Sequence, residues 1–84
     1  MTDREYEILD ELYFAISFEE LIKKVELEEE ILKKELLEFV KKDWVKCMVQ
    51  MTDEEISDMN LIEAKYKEYN FLATKKGLFA HNSR

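Results

Sequence analysis

The sequence predicts an α+β domain in which three helices are followed by a small antiparallel sheet and a short closing helix. The 84 residues contain no proline and a single glycine, which favours uninterrupted helices and argues against a turn-rich sandwich or barrel. Apolar residues recur at helical spacing up to about residue 42, and they alternate in the segments that follow. We expect a single domain over residues 1–81 and a short C-terminal tail at 82–84.

Hydroxyl and carboxylate pairs mark the starts of the first two helices. Thr2 with Glu5, and Ser17 with Glu20, form capping boxes in which each side chain can satisfy a free backbone amide. Between the two helices, Ala15 and Ile16 fit a two-residue strand. The apolar positions at helical spacing are Ile8, Leu9, Leu12 and Tyr13 in the first helix and Leu21, Ile22 and Val25 in the second.

A third helix is predicted from Glu28 to Lys42, after a short turn at Val25-Glu26-Leu27. Its buried stripe consists of Leu32, Leu36, Phe39 and Val40. Asp43 ends this helix at a position where glycine is commoner, and Asp tolerates the left-handed conformation better than most residues.

Two alternating segments predict the main strands of the sheet. In residues 44–49, alternation places Val45, Cys47 and Val49 on one face, and in residues 66–73 it places Tyr69, Phe71 and Ala73 on one face. Between them, Thr52-Asp53-Glu54-Glu55 reads as a third capping box, which predicts a helical turn near residues 56–59. Thr74 is expected to cap a final helix over residues 75–81.

Two local patterns resemble the winged helix-turn-helix superfamily, and with the order of elements the likeness covers residues 5–80. Leu36-Leu37-Glu38-Phe39-Val40-Lys41-Lys42-Asp43-Trp44-Val45 is similar to the end of a recognition helix entering the first wing strand. Phe71-Leu72-Ala73-Thr74-Lys75-Lys76-Gly77 is similar to the second wing strand entering a closing helix. The resemblance implies a three-helix core, a β-sheet wing and a third helix that reads DNA in the major groove.

The sequence departs from that pattern in its wing. Asp43 stands where the superfamily usually has glycine, which changes little. The predicted wing, residues 51–64, is longer than usual, and its acidic residues are Asp53, Glu54, Glu55, Asp58 and Glu63. A DNA-binding wing normally carries Arg or Lys at its tip.

The charge distribution also opposes DNA binding. Residues 1–40 contain 13 acidic and 5 basic side chains, and the remaining residues contain 7 and 8. The third helix opens with Glu28-Glu29-Glu30, which suits the helix dipole but repels phosphates. Its predicted outward face holds Glu30, Ile31, Lys34, Glu38 and Lys41, and therefore none of the Arg, Asn or Gln side chains best shaped for base recognition. A nucleic-acid interface stays open as the alternative, with candidate contacts at Lys34, Lys41, Lys42, Lys46, Lys65, Lys67, Lys75 and Lys76.

Surplus apolar side chains favour a protein partner instead. Two of them lie off the buried stripe of the third helix and three lie on strand faces opposite the predicted core: Ile31, Leu37, Trp44, Met48 and Leu72. A contiguous apolar patch usually marks a partner surface. The alternative for Trp44 is that it covers one end of the core. We therefore expect a protein–protein interaction module, acting as a homodimer or as an adaptor, with a DNA-binding transcriptional regulator as the alternative.

The sequence offers few groups for catalysis, metal binding or cofactor binding. His81 is the only histidine and is expected on the surface, and Cys47 is expected to be a buried, unreactive thiol. Residues 53–64 superficially suggest a calcium loop, but Asp58 replaces its glycine and Ala64 its bidentate glutamate. We expect no enzyme activity, cofactor, metal, small-molecule substrate or membrane contact. A lone cysteine and the lack of a secretion signal predict a cytoplasmic protein.

Overall fold

Three α-helices form the first half of the chain in the computed structural model, which describes residues 1–83. They are α1 (Asp3–Asp10), α2 (Phe18–Val25) and α3 (Glu29–Lys41). The predicted capping box of α1 is confirmed, because Thr2 Oγ1 accepts from Glu5 N at 3.1 Å and Thr2 N donates to Glu5 Oε1 at 2.7 Å. Ser17 Oγ caps α2 by accepting from Glu20 N at 3.2 Å.

Non-glycine residues in the left-handed conformation end α2 and α3. Glu26 has φ 51° at the end of α2, and Asp43 has φ 61° just beyond α3. The prediction for Asp43 is thus confirmed. Both residues adopt this conformation without the conformational freedom of glycine, so both turns store some backbone strain.

An antiparallel four-stranded sheet packs against these helices. Its strands are β1 (Ile16–Ser17), β2 (Val45–Val49), β3 (Glu55–Ile56) and β4 (Tyr69–Ala73), in the spatial order β1-β4-β2-β3. Cys47 lies opposite Phe71 on β4 and Ile56 on β3, and Ile16 on β1 also pairs with Phe71. The predicted strand alternation is confirmed, because Val45, Cys47, Tyr69, Phe71 and Ala73 all belong to the buried core.

The segment predicted to be a projecting wing folds differently. Thr52 does not begin a helix: its hydroxyl accepts from Glu54 N at 3.4 Å, and residues 55–56 pair with β2 as β3. The helix of this segment is α4 (Met59–Lys65), and it is capped by Asp58. The local capping signal predicted a helical turn in this segment. The pairing of residues 55–56 with β2 across the sheet makes it a strand instead.

α4 lies against α3 because its apolar side chains are buried. Ile62 is completely buried in the core, and Met59 packs partly against it. A 3-10 turn, Tyr66–Glu68, connects α4 to β4, so the second main strand begins at Tyr69 rather than at Tyr66 as predicted. The connection between the main strands is therefore a folded part of the domain that runs along α3.

The closing helix, α5 (Lys75–Asn82), begins as predicted at Thr74, whose Oγ1 accepts from Gly77 N at 3.0 Å. It continues through Asn82, one residue past the predicted domain boundary, and Arg84 lies outside the described residues. Gly77 faces the backbone of Trp44, where a Cβ atom would overlap the Trp44 carbonyl oxygen. Gly77, which ends the second pattern resembling the winged helix-turn-helix superfamily, is therefore required by the close packing of α5 on the α3–β2 junction.

A single apolar core lies between the helices and the inner face of the sheet. The expectation that Tyr13 is an inward residue of α1 is wrong, because the helix ends at Asp10 and Tyr13 is 40% exposed. The buried core consists of Ile8, Leu9, Leu12, Phe18, Leu21, Leu32, Leu36, Phe39, Val45, Cys47, Ile62, Tyr69, Phe71 and Ala73. Over residues 1–83 the fold is α+β, with five α-helices and one antiparallel sheet.

Candidate functional site

One face of α3 points away from the core and lines a shallow, open groove. We call it the α3 stripe, and its six residues are Glu30, Lys33, Lys34, Leu37, Glu38 and Lys41, of which Leu37 also packs partly against the core. At 100° per residue these positions are centred opposite Leu32, Leu36 and Phe39, which are buried. Glu63 of α4 forms part of the same groove.

The groove carries equal numbers of acidic and basic side chains. Three glutamates, Glu30, Glu38 and Glu63, face three lysines, Lys33, Lys34 and Lys41, while Leu37 adds an apolar contact. Glu38 Oε1 and Lys41 Nζ lie 3.4 Å apart and form an exposed ion pair between residues three apart on the helix. Such a pair contributes little to stability, so both side chains can exchange it for another partner.

At the N-terminal end of α3, Glu29 is held by two side chains from the segment after α4. The Tyr66 hydroxyl donates to the Glu29 carboxylate, and Lys67 Nζ lies 3.1 Å from Glu29 Oε2. The hydrogen bond from Tyr66, with a smaller effect of Lys67, holds the pKa of Glu29 below its usual value, and the same bond raises the pKa of Tyr66 to about 12. Lys33 Nζ lies 5.0 Å from the centre of the Tyr66 ring. Glu29, one of the three acidic residues around the start of α3, therefore connects this helix to the 3-10 turn.

At the C-terminal end of α3, Trp44 covers one side of the core. Its ring stacks on Phe39 with 6.0 Å between centroids, and Lys42 Nζ lies 4.8 Å from its centre. Lys42 Nζ also lies 3.5 Å from Glu5 Oε2, which connects this end of α3 to the start of α1. Trp44 is thus engaged in intramolecular packing.

The candidate lysines do not converge on one patch. Lys67 pairs with Glu29 at the start of α3, and Lys65 precedes it closely. Lys42 lies at the other end of α3, about 20 Å away by helical rise. Lys75 and Lys76 are also at that end, since Thr74 Oγ1 donates to the Asp43 carbonyl at 2.6 Å. Lys46 lies on the sheet opposite Leu72, and Lys34 and Lys41 lie on the α3 stripe. Three of the eight candidates (Lys41, Lys42 and Lys67) have a carboxylate within ion-pair distance.

The five candidate interface residues are likewise separated. Leu37 is in the groove, and Ile31, on the opposite flank of α3, is half-buried. Met48 and Leu72 lie on the outer face of the sheet, but Met48 is only 6% exposed and adds almost nothing to any surface. The expectation that Met48 contributes to an exposed patch is therefore wrong: it lies on β2 between Glu55 of β3 and Asn70 of β4 and is almost completely buried.

Two exposed phenylalanines were not among the predicted interface residues. Phe14 is 84% exposed in the segment after α1, and Phe79 is 77% exposed on α5. Gly77 and His81 are four residues apart on α5 and both face inward, which turns Phe79 outward. The sequence alone did not indicate this, because it predicted His81 on the surface. Scattered exposed apolar residues are common, so neither residue defines a site alone.

His81 is buried, so its expected position on the surface is wrong. Only 5% of the residue is exposed, and its ring stacks on Tyr6 with 4.1 Å between centroids. The Tyr13 hydroxyl lies 3.0 Å from His81 Nδ1 and donates to Asn82 Oδ1 at 2.8 Å. His81 Nε2 lies 3.2 Å from Asp10 Oδ1, although the two atoms are not aligned for a hydrogen bond. This cluster joins α5 to α1.

Cys47 is completely buried, as predicted, and burial raises the pKa of its thiol to about 12. A thiol in this state is a poor nucleophile at neutral pH. Within residues 1–83 there is no group of three or more His, Cys, Asp or Glu side chains arranged to hold a metal ion. In the same part of the chain, none of the helices has the length and apolar character needed to span a membrane.

Comparisons with protein-family models, curated proteins and solved structures find no match to this chain.

Proposed function

We propose that this chain is a non-catalytic protein-binding module, and that its binding surface is the groove formed by the α3 stripe and Glu63. The observation that carries the proposal is the balance of three glutamates and three lysines around Leu37. Such a surface offers paired charges and an apolar contact to another polypeptide, whereas a polyanion requires a net positive surface.

The proposal includes a winged helix-turn-helix scaffold. It is supported by the order of elements, in which α1, β1, α2, α3, β2 and β4 follow the order on which the resemblance rests. The confirmed caps at Thr2 and Thr74 and the tight packing of Gly77 on Trp44 agree with it. In this scaffold α3 occupies the place of the DNA-reading helix.

The position of α4 supports a protein partner over DNA. α4 packs beside α3 and contributes Glu63 to the groove, so a duplex approaching this face would meet three carboxylates, those of Glu30, Glu38 and Glu63. Repulsion between these carboxylates and phosphates would weaken binding. A cytoplasmic location is part of the proposal and rests on the lone buried cysteine.

DNA-binding regulation remains the second candidate because of the lysines around the end of α3. Lys42, Lys75 and Lys76 flank the bonded junction between Asp43 and Thr74, and two of them begin a helix. Helix starts and lysines are common sites of phosphate contact. This candidate predicts binding centred on α5 and the end of α3.

A titration of labelled mixed-sequence duplex at low salt separates the two candidates. We expect no micromolar binding, measured by fluorescence anisotropy, because the chain has a net charge of −7 and its candidate lysines are spread over the two ends of α3, the α3 stripe and the sheet. Micromolar binding that weakens steeply with added salt, and that is lost in a Lys75→Ala/Lys76→Ala variant, would overturn the protein-binding proposal as the main role.

Photocrosslinking in the cells that produce the protein tests the surface itself. A photoreactive amino acid replaces Lys34 in the middle of the α3 stripe, and in a control it replaces Lys23, an exposed lysine of α2. We expect protein adducts from position 34 and far fewer from position 23. A lack of protein adducts at position 34 would contradict the proposed surface.

A further inference from the structure

We infer that the partner of the α3 stripe is a second copy of this chain, which pairs through its own α3 in antiparallel orientation about a twofold axis. This inference rests on the proposed protein-binding function and names the partner. It is carried by the charges along the midline of the stripe, which begins with an acidic residue, Glu30, and ends with a basic one, Lys41.

The two ends of the stripe complement each other when its order is reversed. When two α3 helices run antiparallel with the axis between residues 35 and 36, Glu30 faces the partner's Lys41 along the midline of the stripe, whereas Lys33 and Glu38 lie on opposite flanks. Lys34 then faces the partner's Leu37, so the aliphatic part of the lysine can cover the leucine. Because the axis generates each contact twice, the ion pair between Glu30 and the partner's Lys41 forms twice between the helices.

The alternative parallel arrangement brings identical residues together. It would place Glu30 against Glu30, Lys34 against Lys34 and Lys41 against Lys41, and like charges at short distance repel. The acidic start and basic end of α3 strengthen the preference, since antiparallel helices also align opposite dipole ends. Charge complementarity thus selects one orientation of a second copy.

In the isolated chain the groove is exposed, so it can make such a contact. All charged members of the stripe are exposed or half-buried, and the pair between Glu38 and Lys41 is open to solvent on both sides. Exposed ion pairs are individually weak, so the dimer should be weak and should dissociate further as salt is added.

Charge reversal at the two ends of the stripe tests both the partner and the orientation. Glu30→Lys alone sets lysine against the partner's Lys41 twice, and Lys41→Glu alone sets glutamate against the partner's Glu30 twice. Each single variant should weaken self-association at least about tenfold, because two attractive pairs become repulsive. Sedimentation equilibrium over micromolar to millimolar concentrations measures the dissociation constant.

Mixing the two single variants should restore association, since a mixed dimer has opposite charges at both ends. The double variant Glu30→Lys/Lys41→Glu should also dimerise. Within one chain the two residues are about 16 Å apart, beyond the screening length of roughly 10 Å, so rescue cannot arise from an intramolecular pair. Changes in folding of the single variants would not produce rescue on mixing.

Matched controls come from α2. Glu19→Lys reverses a first-turn acid and Lys23→Glu reverses a last-turn base, as the two test changes do in α3. Both controls should leave the dissociation constant within about twofold of the original, as expected for surface changes away from an interface.

The outcomes distinguish this inference from the function on which it rests. A wild-type chain that stays monomeric at millimolar concentration and low salt, or single variants that do not associate when mixed, would overturn the second copy as partner. Photocrosslinks from position 34 to a different protein would also overturn it while supporting the protein-binding function. Absence of any protein crosslink from position 34 would contradict both the second copy as partner and the protein-binding function.

Discussion

Gly77 is the residue at which the backbone of the closing helix meets the α3–β2 junction. In an exposed helix, replacing glycine by alanine adds about 1 kcal/mol of stability. Here a Cβ would overlap the Trp44 carbonyl oxygen, which is backbone and cannot rotate away. We therefore expect Gly77→Ala to lower the free energy of unfolding, by about 1–3 kcal/mol, as overpacking does in cores.

Chemical denaturation measures this effect, with Lys76→Ala as the control at the adjacent, exposed position of α5. The control should be neutral or slightly stabilising. An increase in stability on Gly77→Ala would show that the helix and Trp44 are farther apart than described.

The turn between α2 and α3 is the element in which backbone strain can be relieved most directly. Glu26 is exposed and has φ 51°, a conformation that is costly for any residue with a Cβ. We expect Glu26→Gly to raise the free energy of unfolding by up to about 1 kcal/mol, after the greater flexibility of glycine in the unfolded chain is subtracted. The control, Glu26→Ala, removes the same carboxylate but keeps the Cβ, and it should give no gain. Equal effects of the two substitutions would contradict a backbone origin.

Sequence patterns predicted the elements whose signals are local. The caps at Thr2, Ser17 and Thr74 lie within three residues of the amides they satisfy, and the left-handed Asp43 directly follows its helix. Thr52 carried the same local signal, but pairing of β3 with β2 decided its conformation. The burial of His81 depends on Tyr6 and Tyr13, which are far away in the sequence.

The residues of the candidate site also divide into those that local patterns predicted and those that depend on contacts between distant segments. Periodicity predicted which residues of α3 face outward, and Glu30, Lys34, Glu38 and Lys41 do so. The groove also needs Glu63, which comes from a helix that the capping signals placed too early in the chain. Docking of α4 on α3 depends on burying Ile62, a contact between distant segments that no local pattern encodes.

At the scale of the whole molecule, Glu5 connects the first helix to the end of the third and makes stability depend on pH. The pKa of Glu5 is lowered mainly by the hydrogen bond from the Thr2 backbone, with Lys42 adding to the effect. The contribution of Glu5 is fully present above the usual carboxyl pKa. As pH falls toward the lowered value, the unfolded chain binds the proton first, so stability is lost.

Glu5→Gln should therefore make the acid-side loss of stability shallower, measured as the free energy of unfolding between neutral pH and about pH 3. Glu7→Gln, at an exposed position of the same helix, should keep the original slope. A Glu5→Gln variant with an unchanged slope would indicate that its capping interactions do not persist in solution.

The order of the strands in space differs from the order in which a ribosome makes them. β4 lies between β1 and β2, yet it is synthesised after both, and β1 pairs with β4. A nascent chain that has emerged only as far as α4 can pair β2 with β3 but cannot attach β1, and the edges of β1 and β2 that pair with β4 stay open until residues 69–73 are made. Completion of this fold is consequently a late event in synthesis, and a growing chain stalled before Tyr69 would present unpaired strand edges to chaperones and proteases.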